Sequence, residues 1–320
     1  MRPISAPPFC PGTTSLGLYT NPAAPGVMLD RLFAQAAAAS LVGLAGVTIS
    51  EHHGGFPGYV PNPVQLAGWM LDRVPTVWCA ACPLLLTLRP PVTVAEELCW
   101  MSALHPGRVG VGFAPGYLAA DFELFDQDVG QRADQFSKRL LTTAAIITGR
   151  GWRSLDADPA VASTSDSPVP FVAAAGSPRA ARRAAEAGGG ILTDSLAPMD
   201  RVRTLFDVYD EAGGRGPRVV NRRIWIGAPP VELVQSQLAH FAGASAGPPS
   251  LNDRTGPIVH GTPAEVADQL VATVASTGAT HLGLKFHLTG VTQHQALDQI
   301  EALEDVLPAV EVALGNSAQE

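Results

Sequence analysis

Glu51, His52 and His53 follow directly on a short apolar run, Val47-Thr48-Ile49-Ser50, and a turn-rich loop then leads to Asn62-Pro63. Histidine titrates near neutral pH. A pair of histidines at the C-terminal end of a buried strand therefore offers proton transfer where α/β barrels keep their chemistry. Two loop histidines satisfied by hydrogen bonds are the plain alternative, and a metal site is a third. Adjacent residues of an extended chain point to opposite sides, so the three side chains cannot converge on one ion without a kink. No H-E-x-x-H spacing occurs either, and no metal is expected.

Two further stretches invite chemistry. Gly110-Val111-Gly112-Phe113-Ala114-Pro115-Gly116 resembles a dinucleotide turn only superficially: the spacing departs from G-x-G-x-x-G, and Pro115 would sit inside the turn. It reads better as a glycine-rich strand end where a flat ligand approaches the backbone. Gly176-Ser177-Pro178-Arg179 follows a strand and opens a helix, so its amides suit either a phosphate or an ordinary N-cap. Cys79-Ala80-Ala81-Cys82 lies in an apolar run with no second pair, which argues against zinc or redox work.

These residues sit at the ends of short apolar strands that alternate with amphipathic helices. Strands are predicted near 15–19, 46–50, 76–81, 108–113, 170–175, 190–193, 219–227 and 281–286, each apolar throughout, as strands covered on both faces should be. Thr262-Pro263-Ala264-Glu265 is a capping box with proline at the first helical position. Eight βα units predict a (β/α)8 TIM barrel with loop insertions, and a doubly wound sheet is the alternative. The expected organisation is a proline-rich extension over 1–14, one barrel domain over 15–312 and a flexible tail over 313–320. Residues 153–169 and 244–257 read as surface insertions.

The chain has 320 residues, 46% hydrophobic and 16% charged, which is ample for one large core. A net charge of −8 argues against nucleic acid and anionic membranes as partners. Residues 1–15 hold no apolar signal region, and no apolar run is long enough to span a bilayer. Four cysteines fit reduced thiols, so a cytoplasmic location is expected.

Glu51-His52-His53, Asn62-Pro63, Pro91-Val92 with Ala95-Glu96-Glu97, Gly107-Arg108, and Gly116-Tyr117 with Asp121-Phe122-Glu123-Leu124-Phe125 occur in that order. Gly176-Ser177 and Gly261-Thr262-Pro263-Ala264-Glu265 follow. In this arrangement, over residues 16–310, the chain resembles the bacterial luciferase-like flavin-dependent monooxygenases, and their FMN-using branch more than the branch that uses F420. The resemblance implies a barrel that receives reduced FMN from a separate reductase. There O2 forms a C4a-hydroperoxide that oxygenates an organic substrate such as an aldehyde, ketone or aromatic.

In this resemblance His52 matches the catalytic histidine and His53 braces the loop. Cys82-Pro83 matches a cis peptide under the flavin ring, and proline makes cis cheap, roughly 0.5–1 kcal/mol. Gly112, Ala114, Gly116, Tyr117, Gly176, Ser177, Arg179 and Ser195 complete the cofactor-binding set. Phe56, Tyr59, Asp194 and His287 are candidates for the substrate. The family often grips the flavin phosphate with an arginine where this chain has Pro115, so Arg179, Arg222 or Arg223 would have to supply that charge. A homodimer is implied through the helices after strands two and three, where Leu66, Met70, Leu98 and Met101 serve either a dimer face or the core. The other readings are an F420-dependent oxidoreductase and a non-catalytic, flavin-poor relative.

Overall fold

The computed structural model describes residues 6–235, 258–286 and 288–318. Among these residues nine strands form one sheet: β1 Thr13–Gly17, β2 Gly46–Ile49, β3 Trp78–Leu85, β4 Val109–Ala114, β5 Phe171–Ala174, β6 Gly190–Thr193, β7 Arg218–Ile226, β8 Val259–Gly261 and β9 His281–Lys285. Neighbours pair in parallel in the order β6-β5-β4-β3-β2-β1-β9-β7, and β7 pairs back to β6. The ring closes on eight strands, which makes a (β/α)8 TIM barrel. The short β8 pairs only with the far end of β7, at Ile224 to Ile226. It is absent from the predicted strands because three residues with a polar His260 carry no strand period.

Each barrel strand is buried on both faces, and side chains alternate between the lumen and the helical shell. Trp78, Ala80 and Cys82 of β3 pack inward with Val172, Leu192 and Val219, whereas Cys79 and Ala81 face the shell. The indole of Trp78 occupies the space where a side chain on Gly46 would stand. Phe9 closes the N-terminal end of the lumen. Its ring lies 5.1 Å from Trp78 and 5.9 Å from His281. The barrel begins ahead of the expected boundary at residue 15: β1 starts at Thr13, and buried Phe9, in the proline-rich stretch, belongs to the core.

The helical shell follows the punctuation read from the sequence. Helices Pro25–Leu41, Pro63–Arg73, Pro91–Leu104, Pro178–Ala187 and Pro263–Thr277 all begin with proline, whose missing N–H costs nothing in a first turn. Thr262 and Glu265 form the reciprocal capping box. Gly188 and Gly278 end their helices in the left-handed conformation that glycine adopts without strain. Two expectations fail. The segment over 153–169 is no loose insertion: it coils into helical turns, including Pro159–Ala162, that bury Ala160, Val161 and Thr164. The predicted tail over 313–320 is helical to Ser317, with Leu314 buried against the barrel. The predicted insertion over 244–257 lies outside the described residues, and among those described no helix is long and apolar enough to cross a membrane.

Candidate functional site

The C-terminal mouth is shaped by the end of β2 and the bent end of β3. The β3–β4 register shifts between Ala81 and Leu84, where the Cys82-Pro83 peptide is cis as expected. Ser50 Oγ donates to Cys82 O at 3.1 Å, and the Glu51 amide donates to Pro83 O at 3.1 Å. The β2 end is thereby tied to the bend. Glu51 is buried and spends both oxygens locally, one on the Leu85 amide at 2.5 Å and one on His53 Nε2 at 3.0 Å. His53 therefore braces the loop, stacked edge-on against Phe125.

His52 points the other way. Its Nδ1 lies 2.6 Å from Asp121 Oδ2, and both side chains are buried. Asp121 Oδ1 also accepts from the His53 amide at 2.9 Å, so one carboxylate fixes the ring and the backbone beside it. Asp121 comes from the short helix Ala119–Glu123 after β4, and Gly116, at φ +75°, makes the turn that delivers it. With the carboxylate on Nδ1, that nitrogen keeps its proton and Nε2 is left to exchange one. Nε2 is 3.5 Å from the Tyr117 hydroxyl. The rings of Phe56 and Tyr59 stand 4.6 and 4.5 Å from the imidazole, which dries its surroundings. Asp121 lies within a motif noted in the sequence, but its partnership with His52 is one that no local pattern signals.

The other candidates divide. Ala114 borders the mouth, and nothing stands within 4 Å of a side chain built on Gly176, so this wall is open. Gly112 does not offer its backbone to a ligand, contrary to expectation. The Cys82 Sγ already fills the space above it, where a Cβ would stand. Burial pushes the Cys82 thiol up to about 12 and the Cys79 thiol up as well, so both stay protonated on opposite faces of β3.

Ser177 caps its helix by accepting from the Ala180 amide at 3.3 Å. Arg179 does not turn to that loop. It is exposed and pairs with Asp134 at 3.1 Å. The cation that does reach the loop is Arg201, whose guanidinium donates to Gly176 O at 2.5 Å from the helix Met199–Glu211. Nothing in its local sequence singles it out. Asp194 is exposed and accepts from the Leu196 amide at 2.9 Å. Ser195 lies next to the two arginines of β7: its carbonyl accepts from Arg222 and its hydroxyl from Arg223, each at 3.4 Å. Burial lowers Arg222 to about 10. His287 lies outside the described residues. Among those described, no group of three metal-ligating side chains gathers.

The four apolar residues considered for a dimer face do not form one. Leu66, Met70 and Leu98 are core, and Met101 is partly buried against it. The apolar surface of the same two helices is carried by Trp69, Trp100 and Leu104, which are 44%, 55% and 72% exposed.

Known proteins share this architecture. The oxygenating constituent of 3,6-diketocamphane monooxygenase from Pseudomonas putida, solved with FMN, superposes with a TM-score of 0.72 at 18% identity, over 93% of this chain and 98% of that one. An F420-dependent secondary alcohol dehydrogenase, solved with an F420-acetone adduct, superposes at 0.73 with 14% identity, over 93% and 98%. At such identities the likeness is one of fold. In sequence, the alkanal monooxygenase beta chain of Vibrio harveyi is 28% identical over 104 residues, which is 32% of this chain and 32% of that protein. The match thus spans about a third of that relative's length. Residues 9–281 match the model of one family throughout, from the Phe9 plug to the first residue of β9, and the chain belongs to the luciferase-like monooxygenases, a family of oxidoreductases.

Proposed function

We propose that the protein is an FMN-dependent monooxygenase that takes reduced flavin from a separate flavin reductase and uses O2 to oxygenate an aldehyde, ketone or aromatic substrate. The buried His52–Asp121 pair at the barrel mouth is the observation that carries this reading. Bound reduced flavin would supply the electrons that activate O2. The mouth fits such a group. Cys82 and Pro83 give a flat backbone edge, and Ala114 and Gly176 leave the adjoining wall low, while Gly116 makes the turn beside it. Tyr117 closes the side next to His52.

The residues then act as follows. Asp121 holds the Nδ1 proton of His52, and Nε2 accepts a proton from, or returns one to, the reacting centre. Phe56 and Tyr59 keep water from that nitrogen and form an apolar wall for substrate. Gly176, Ser177 and the start of the helix Pro178–Ala187 receive the flavin phosphate. Arg201 supplies there the charge that Pro115 does not. Gly112 contributes only by letting Cys82 seat, and Arg179 drops out. The free thiols and the net charge of −8 fit a cytoplasmic enzyme that does not engage nucleic acid, and Trp69, Trp100 and Leu104 fit a homodimer contact.

F420-dependent hydride transfer is the second reading, favoured by the F420-binding neighbour of the same fold. Anaerobic fluorescence titration separates the two. Reduced FMN should bind in preference to F420 and in the low micromolar range or tighter. Preference for F420 would reverse the assignment.

A further inference from the structure

The lumen side of β9 carries a cation that none of the roles above uses. His281 faces inward, with Nε2 2.9 Å from Ser15 Oγ. Gly283 also faces inward, since a side chain there would run into Asn221 Oδ1. By the same alternation Lys285 is the top inward residue of β9, and Arg223, two residues after Asn221, is that of β7. The two are direct register partners. On its other side Lys285 pairs with Gly17 of β1, where a Cβ would come 2.9 Å from Lys285 Cγ and 3.0 Å from Cε. Gly17 thus leaves the space in which the lysine stem lies.

Like charges at paired positions on one face repel. Lys285 is partly buried, yet among the described residues it makes no hydrogen bond or ion pair. Asp194 acts on it only at a distance. Burial above all, joined by Arg223, pushes the ammonium down from its ordinary value, against the upward pull of Cys82 and Asp194. Holding an amine here without a hydrogen-bond partner costs the fold stability. The open direction is the mouth. Tyr19 stands at the end of β1 within the field of Arg223, and Gly58 packs over its ring without a side chain. Phe56 and Tyr59, on the loop of Gly58, continue the aromatic surface to His52.

We propose that Lys285 and Arg223 receive the oxygen of a phenolic substrate and hold it as the phenolate. The phenol O–H breaks, its proton leaves to solvent through the open mouth, and the phenolate is held between the Lys285 amine and the Arg223 guanidinium as donors. The aromatic body then lies along Tyr19, Phe56 and Tyr59 toward His52. Ionisation makes the ring electron-rich, which is the state that accepts an oxygen atom most readily. The substrate role rests on the monooxygenase reading; the anion site itself does not.

The test uses 4-nitrophenol, whose ionised form is coloured, with the full-length chain and its Lys285→Met and Arg223→Gln variants, and 4-nitroanisole as the neutral comparator. Wild type should shift the ionisation of bound 4-nitrophenol about tenfold in favour of phenolate. It should bind 4-nitroanisole at least about tenfold more weakly. Lys285→Met should abolish the shift, Arg223→Gln should reduce it, and both should keep the wild-type affinity for reduced FMN. Lys285→Met should melt no lower than wild type, since it removes a buried amine that lacks a partner. No shift in wild type, or an unchanged shift in Lys285→Met, would overturn the proposal. So would loss of FMN affinity in Lys285→Met, which would give the lysine to the flavin. A shift that persists in a protein unable to bind reduced FMN would support the phenolate site while sinking the monooxygenase reading.

Discussion

Asp121 Oδ2 and His52 Nδ1 are 2.6 Å apart, and both side chains are buried. The carboxylate arrives from a turn after β4 and the imidazole from the end of β2, so the pair exists only once the barrel has closed around β3. Two groups coupled so directly should fail as a unit. His52→Ala and Asp121→Asn should each lower kcat by roughly 10²–10⁴-fold, the range of a positioned proton carrier. The double variant should be little worse than either single. His53→Ala should lose far less, because that ring only braces Glu51 and Phe125. Steady-state kinetics across the series checks this, and additive losses would contradict a functional pair.

Arg201 stands at the loop expected to take the flavin phosphate, bonded to Gly176 O. Arg201→Ala should weaken FMN binding by about tenfold or more, the worth of one charge-assisted contact of about 1.5–3 kcal/mol. Riboflavin, which lacks the phosphate, should bind wild type and variant alike. Arg179→Ala should change neither affinity, as its partner is Asp134. Equilibrium titration of both flavins decides between the arginines.

His281 sits at the base of the lumen between Thr13 and Ser15, and burial lowers it from 6.5 to about 4. Between these values the unfolded chain binds a proton that the folded chain refuses. Stability is therefore intact above pH 6.5 and falls as the pH drops toward 4. The loss should reach on the order of 2 kcal/mol by about pH 5. Urea midpoints at about pH 7 and pH 5 should show it, and His281→Asn should flatten the difference. An unchanged midpoint in wild type would contradict the buried neutral ring.

Trp100 and Leu104 project from the helix Pro91–Leu104, with Trp69 on the neighbouring helix Pro63–Arg73. Charges on that face should break a homodimer. Trp100→Asp with Leu104→Asp should shift the sedimentation coefficient from dimer to monomer, while Leu41→Asp, on another helix, should not. A wild-type monomer at micromolar concentration would end the proposal.

The barrel was legible because its signals are local. Continuous apolar strands, proline-led helices and the Thr262 capping box each announce themselves within a few residues. The cis bond was expected from the family resemblance, and proline at 83 only made that expectation cheap. Strand alternation placed His52 and His53 on opposite sides, and the choice of His52 for the mouth came from the family resemblance. The pairings across the barrel were not legible. Asp121 lies 69 residues from His52. Arg201 reaches Gly176 from the next helix but one in the chain, and Lys285 meets Arg223 through register alone. Gly112 misled because an empty position in sequence was a filled one in space, taken by Cys82. Phe9 was not legible as a core residue, because nothing in the proline-rich stretch around it marks a ring that plugs the lumen.

The central claim is that this mouth turns reduced FMN and O2 into an oxygenating site through His52. Oxygen uptake should be recorded with photoreduced FMN, with F420H2 and with neither, using wild type and Asp121→Asn. The account predicts enzyme-dependent consumption of reduced flavin with FMN alone. It also predicts that Asp121→Asn releases hydrogen peroxide where wild type, given a phenolic acceptor, forms oxygenated product. Oxidation of F420H2 coupled to reduction of an organic acceptor, with no enzyme effect on FMN, would contradict it.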